Sequence, residues 1–251
     1  MLDIDRGAQG EPNSHAGMAH PIADGLAWGD SCRHCSASDI SICDAHLDEG
    51  LADISRRVRL DAKATLFAEC ARAEFVWSMV SGACLLSKLL PDGRRQVLGI
   101  GVPGDLLGLS MESTYSFTAT ALTSATICRI ERSRFLELMN RAPRLSRLLF
   151  MKFSKELTLA QDHMLLLGRR SAEEKVAAFL LTMRARWAPL HGLSARVDLP
   201  MTRQDIGDYL GLTLETVSRT MTKLAQRKMI AIIPDGVRIL DVERLASTAS
   251  L

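Results

Sequence analysis

Three spacings of apolar residues succeed one another along the chain. From about residue 60 to 130, short apolar runs alternate with turn signals. Residues 75–79, 83–90, 96–101 and 125–130 read as strands, with Pro91-Asp92-Gly93 and Pro103-Gly104-Asp105 as turns between them. Several short strands at close spacing predict a small antiparallel barrel or roll. The spacing then becomes helical from about residue 142 to 167, where Pro143 suits a first turn and Gly168 an end. Inside it Phe150, Phe153, Leu157, Ala160, Met164 and Leu167 recur at intervals of three and four, which keeps them on one stripe. A helix lying on its own domain would bury that stripe internally, whereas a coiled-coil seam would bury it against a second copy. A period held for about three heptads, with Arg147, Lys152, Lys155, Glu156 and Asp162 as flanking charges, favours the seam and hence a homodimer. Residues 171–187 form a further helix, opened by the capping-box pair Ser171 and Glu174 and ended by Pro189 and Gly192, and residues 196–199 a short strand.

The third spacing lies between residues 202 and 228. Thr202 can cap a short helix, with Asp205 reaching back, and Ile206, Tyr209 and Leu210 give it an inner face. Gly211 breaks that helix, and Thr213 caps a second one with Val217, Met221 and Leu224 inside. Two capped helices joined by a tight turn have the layout of a helix-turn-helix, whose second helix enters the major groove of double-stranded DNA. Its leading residues Glu215, Ser218 and Arg219 suit that task. A guanidinium grips guanine O6 and N7, a carboxylate accepts from the cytosine amino group, and a hydroxyl serves several partners. Thr202 and Thr213 join these as candidate DNA-binding residues. Downstream, residues 230–233 and 237–240 flank Pro234-Asp235-Gly236 and read as a hairpin or wing. An αα-hairpin with solvated charges is the competing reading.

Charge supports the first. The whole chain of 251 residues carries a formal net charge of only +2, little for a protein that coats nucleic acid indiscriminately. Between Thr213 and Lys228, however, four basic residues face one acidic residue. DNA binding is therefore expected to be focused on one patch. No run is apolar for the length of a membrane span, and no secretory signal follows Asp3, Asp5 and Arg6, so a cytoplasmic location is expected. Residues 1–30, rich in Gly, Pro, His, Asp and Ala, predict a disordered arm.

Six cysteines in a reducing compartment argue against a disulfide framework. Cys32, Cys35 and Cys43 gather three soft ligands in a short span, which suits zinc or an iron–sulfur cluster. His46 could complete a zinc site, and Cys70, Cys84 or Cys128 could close a cluster; the spacing alone leaves both open. His15, His20, His34, His163 and His191 are scattered and read as arm or surface residues. No Ser/His/Asp constellation, phosphate-binding glycine loop or radical-enzyme cysteine spacing stands out, so no enzyme is expected.

The stretch from Thr202 to Arg219 resembles the CRP/FNR family of bacterial regulators, above all its FNR branch and the alphaproteobacterial members. Gly104-Asp105-Leu106-Leu107-Gly108, residues 161–167 and residues 171–180 also match, and the likeness runs from about Cys32 to the end. It implies an α+β fold with an amino-terminal antiparallel β-roll of the cyclic-nucleotide-binding kind, a long dimerisation helix and a carboxy-terminal winged helix-turn-helix. The expected divisions are an arm at 1–30, a cysteine-bearing arm and sensor roll at 31–141, the dimer helix at 142–168 and the DNA-binding unit at 169–251. It also implies an oxygen-responsive activator that binds a TTGAT-type palindrome and touches RNA polymerase. Glu215, Ser218 and Arg219 would read the half-site. By the same resemblance Cys32, Cys35, Cys43 and Cys128 would hold a 4Fe–4S cluster, leaving Cys70 and Cys84 as buried apolar residues. FNR proteins carry an acidic residue where this seam has Ala160, so dimerisation here is expected to depend less on the cluster. A cyclic nucleotide is not expected, because residues 115–120 lack the arginine that relatives use to hold its phosphate. A cluster-free regulator of the FixK type, or one stabilised by zinc, is the alternative on the same fold.

Overall fold

The computed structural model describes residues 50–110 and 112–249; the arm at 1–30, the ligand candidates Cys32, Cys35, Cys43 and His46, and His15, His20 and His34 lie outside the described residues. A single helical turn, α1 (Leu51–Ile54), leads into eight strands: β1 (Ser55–Leu60), β2 (Thr65–Phe67), β3 (Phe75–Ser81), β4 (Cys84–Leu89), β5 (Arg95–Gly101), β6 (Leu106–Leu107), β7 (Thr118–Ala121) and β8 (Ala125–Glu131). They pair into two four-stranded antiparallel sheets, ordered β1-β8-β3-β6 and β2-β7-β4-β5. Alternation along each strand sends Val58, Trp77, Met79, Ala119, Ala121 and Ile127 into the shared interior. Aromatic rings fill the middle of that roll. Phe67 stacks on Tyr115 with centroids 4.0 Å apart, and the Trp77 indole donates to the Tyr115 hydroxyl at 3.2 Å.

Helix α2 (Arg132–Arg141) follows at once and buries Phe135. The long helix α3 (Pro143–Arg169) then presents two different faces. Leu145 and Leu149 pack with Leu51, Val76, Ile130 and Phe135 on the outer face of the first sheet. Phe150, Met151, Phe153, Leu157, Ala160 and Met164 are exposed, Phe150 by 72% and Leu157 by 59%. The expected helix end at Gly168 is corrected: Gly168 lies inside α3, and the chain leaves the helix at Arg170, which is extended. One helical glycine costs only about 1 kcal/mol against alanine, and the Ser171 cap of the next helix sets the break instead.

The carboxy-terminal unit comprises α4 (Ala172–His191), β9 (Arg196–Asp198), α5 (Arg203–Leu210), α6 (Leu214–Gln226), β10 (Ile230–Ile233), β11 (Gly236–Ile239) and α7 (Val242–Thr248), with a small sheet ordered β10-β11-β9. Pro189 does not end α4 as expected but sits within its final turn, so the bond its missing N–H cannot make disturbs only the last residues of the helix. Gly192 provides the stop. This unit is docked on the roll. Leu85, Val97, Ile100 and Val102 of the roll share one buried cluster with Val176, Phe179, Ile206, Val217 and Met221 of the unit.

Two cysteine and histidine expectations fail. Cys70 is exposed, in a turn with φ of 64°. Cys84 alone of that pair is buried, and burial pushes its thiol up to about 11, so it stays protonated and inert. His163 is not a surface residue. It is half-buried, stacked on Tyr209 at 4.1 Å, because the docked unit covers that face of α3.

Candidate nucleic-acid interface

The two threonines form caps. Thr202 opens α5, accepting from the Asp205 amide at 3.1 Å while its own amide and hydroxyl donate to the Asp205 carboxylate at 2.9 and 2.6 Å. Thr213 opens α6 by accepting from the Thr216 amide at 3.2 Å. Between the helices, Gly211 takes φ of 62°, a left-handed conformation that closes α5 without penalty. A Cβ on Gly207 would stand 2.6 Å from the Leu212 carbonyl, so the turn could not come as close with any other residue.

Helix α6 buries Val217, Thr220, Met221 and Leu224. At about 100° per residue, Glu215, Ser218, Arg219, Thr222 and Gln226 share the opposite, outward face. Glu215 and Arg219 are exposed, Ser218 is half-buried at the rim, and Leu214 stands 40% exposed at the first turn. Its own amide and the Thr213 hydroxyl, with Arg219 adding a smaller effect, hold the Glu215 carboxyl below the usual range. The carboxylate is thus an ionised acceptor at neutral pH. The three residues expected to read bases therefore stand together on one open face, and the two threonines position the helices that carry it.

Positive charge around this face is unevenly available. Glu173, in the first turn of α4, takes the Lys223 ammonium on one oxygen at 2.6 Å and the Arg227 guanidinium on the other. Arg203, at the start of α5, is half-buried, and burial holds its pKa below the usual value. A partly desolvated cation of this kind is suited to a phosphate oxygen.

The roll grips the first helix of the pair. Arg95 at the head of β5 donates to Asp208 at 2.7 and 3.0 Å and to Asp205 at 2.5 Å, and Gln96 donates to the Asp208 carbonyl at 2.7 Å. Nearby, Arg186 of α4 donates to Asp105 at 2.5 Å and lies 3.6 Å from Glu156 of α3, and Lys152 of α3 donates to the Gly104 carbonyl at 3.1 Å. The segment Gly104-Asp105 is thereby held by both the long helix and the carboxy-terminal unit. None of these contacts was legible in sequence, since a bond across domains leaves no local pattern.

Cys128 lies on β8, between Arg57 of β1 and Ser78 of β3, and is 2% exposed. Alternation puts it on the outer face with Ile130, two residues on, which packs with Leu51. Leu51 thus lies on the same face of the sheet as Cys128. Among the described residues no cluster of three metal-ligating side chains forms, and no helix is long and apolar enough to cross a membrane.

Comparison with known proteins follows the same division. Residues 174–248 match the model of the Crp-like helix-turn-helix domain, and residues 57–142 that of the cyclic nucleotide-binding domain. The chain is 47% identical over 223 residues to the transcriptional activatory protein AadR of Rhodopseudomonas palustris, covering 86% of this chain and 92% of that one. It is 43% identical to the nitrogen fixation regulation protein FixK of Bradyrhizobium diazoefficiens, covering 88% and 95%. Identity to the transcriptional activator protein FnrL of Cereibacter sphaeroides is 35%, covering 79% and 85%. The structure of FixK2 from Bradyrhizobium japonicum superposes with a TM-score of 0.72 at 35% identity, covering 78% of this chain and 97% of that one.

Proposed function

Because the chain belongs to the CRP/FNR family of transcription regulators, we propose that it binds a palindromic site of two TTGAT-type half-sites as a homodimer and activates transcription while oxygen is absent, oxygen switching it off. The observation that carries the reading is the outward face of α6, where Glu215, Ser218 and Arg219 stand together above a buried Val217, Met221 and Leu224. The exposed stripe from Phe150 to Met164 is suited to bury itself against a second copy, which would put two such faces on one duplex. Activation implies contact with RNA polymerase, and the relatives named as activators support it.

The sensor reading is that Cys32, Cys35, Cys43 and Cys128 hold a 4Fe–4S cluster. Cys128 suits a ligand role. Cys43 is eight residues from Leu51, a span of up to about 28 Å when extended, and Leu51 shares a cluster with Ile130 on the Cys128 face. Arg57, directly across the ladder from Cys128, would put a cation near an anionic cluster held there. When bound, such a cluster supplies an oxygen-labile tie between the amino-terminal segment and the roll. A cyclic nucleotide is not part of the proposal: the roll interior is occupied by Phe67, Trp77 and Tyr115, and residues 115–120 bring no cation for a phosphate.

Protein purified without oxygen should be brown, contain about four irons per chain, bleach in air, and prefer the palindrome to a scrambled duplex. Arg219→Ala should cost about 1–3 kcal/mol of discrimination at one base pair per half-site. A colourless zinc protein would overturn the sensor reading. Equal loss on specific and random DNA would overturn the role of Arg219.

A further inference from the structure

Two of the four basic residues between Thr213 and Lys228 are already held in ion pairs within the protein. Lys223, in the last turn of α6, and Arg227, which caps its end, lie one turn apart on the flank of the face that carries Glu215 and Arg219. A helix seated in the major groove turns such a flank toward one phosphate wall. Both side chains bend instead onto Glu173, one on each carboxylate oxygen, although each is about half exposed and within reach of solvent anions. Glu173 is itself only 19% exposed. It is held there by its place in the first turn of α4, where helix amides favour negative charge and the capping box of Ser171 and Glu174 fixes the backbone.

We infer that Glu173 is a specificity-determining residue, withholding Lys223 and Arg227 from the phosphate backbone so that sequence-independent binding stays weak. The inference rests on the reading that α6 enters the groove. Random duplex is bound by neutralising phosphates, and every available cation strengthens it. A cation that must exchange a carboxylate for a phosphate gains little, and the carboxylate left behind repels the strand. The base-reading residues are untouched by this arrangement, because among the described residues Glu215, Ser218 and Arg219 form no hydrogen bond or ion pair with Glu173. A specific complex is fixed in register by base contacts, whereas a random one takes whatever phosphates its free cations can reach. Releasing two cations therefore strengthens the random complex more.

The test compares the full-length, oxygen-free protein with Glu173→Gln on palindromic and random duplexes across a salt series. For Glu173→Gln, the slope of log affinity against log salt on random DNA should steepen by about 1 to 2. Random affinity should rise roughly three- to tenfold at moderate salt, and the palindrome-to-random ratio should fall. In E173Q/K223Q/R227Q the slope should return close to that of the parent. An unchanged or shallower slope, an unchanged ratio, or a triple variant that stays steep overturns the role of Glu173. In the same titrations, a parent protein with no preference for the palindrome would overturn the DNA-reading assignment itself.

Discussion

Replacing Arg95 by alanine removes the clasp between the roll and the first helix of the DNA-reading pair. Three charge-assisted hydrogen bonds to Asp205 and Asp208 are lost, while Gln96 keeps its bond to the Asp208 carbonyl. Such bonds contribute about 1.5–3 kcal/mol where they are well shielded. The Arg95 side chain is 35% exposed, so solvent reduces that figure, and Asp205 retains its bonds to Thr202. A loss of about 1–2 kcal/mol follows. It should be read as a lower midpoint in urea unfolding at constant m-value, with pH as the diagnostic. Burial raises the Asp205 pKa, but the Thr202 hydroxyl and amide and the Arg95 guanidinium outweigh it and hold the carboxyl below the usual range. A depressed carboxylate contributes stability above its unfolded pKa, about 3.9, and loses it as pH falls through the folded value. The gap between parent and variant should therefore be full at pH 7 and narrow below about pH 4. A gap under about 0.3 kcal/mol at pH 7, or one that widens in acid, would refute the clasp.

His163 makes a second pH prediction on the same joint, of the same sign but at higher pH. Burial, and then the nearby Lys175, lower its pKa, so the unfolded chain takes up a proton first and stability should decline as pH falls from about 7 through 6.5. His163→Phe should keep the stack on Tyr209 and flatten that decline in thermal melts; an identical decline in the variant would assign it elsewhere. The seam supplies the third prediction. Ala160 sets no charge on the exposed stripe of α3, so cluster-free protein should sediment as a dimer at micromolar concentration, and Ala160→Asp should weaken that dimer at least about tenfold. A cluster-free monomer in analytical ultracentrifugation contradicts this.

Elements that carry their own local signal were legible in the sequence. The capping boxes at Ser171 and Thr202, the Gly211 turn and the buried faces of α5 and α6 all follow from residues within one or two turns of each other. The strands at Phe75, Cys84, Arg95 and Ala125 were legible for the same reason. β1 escaped notice because Arg56, Arg57 and Arg59 interrupt its apolar residues, and β7 because Thr118–Ala121 alternates Thr with Ala. Helix α2 was missed although Phe135, Leu138 and Met139 recur at helical spacing, as it follows β8 without a turn. Cys70 is exposed by a left-handed turn that no Gly, Asn or Asp announces, whereas burial at His163 depends on a partner element far away in sequence. The docking of the roll on the reading unit belongs to the same class, since Arg95 and Asp208 are separated by 113 positions.

The cluster that joins Leu85, Val97, Ile100 and Val102 to Phe179, Ile206 and Met221 should make the two halves of the chain mutually dependent for solubility. A fragment stopped after α3 would uncover an oily patch on β4 and β5, and an excised reading unit would uncover its counterpart. Both pieces should aggregate where the intact chain does not. Heat should melt them together in one transition, so that a substitution stabilising the roll also raises the melting point of the helices that meet DNA.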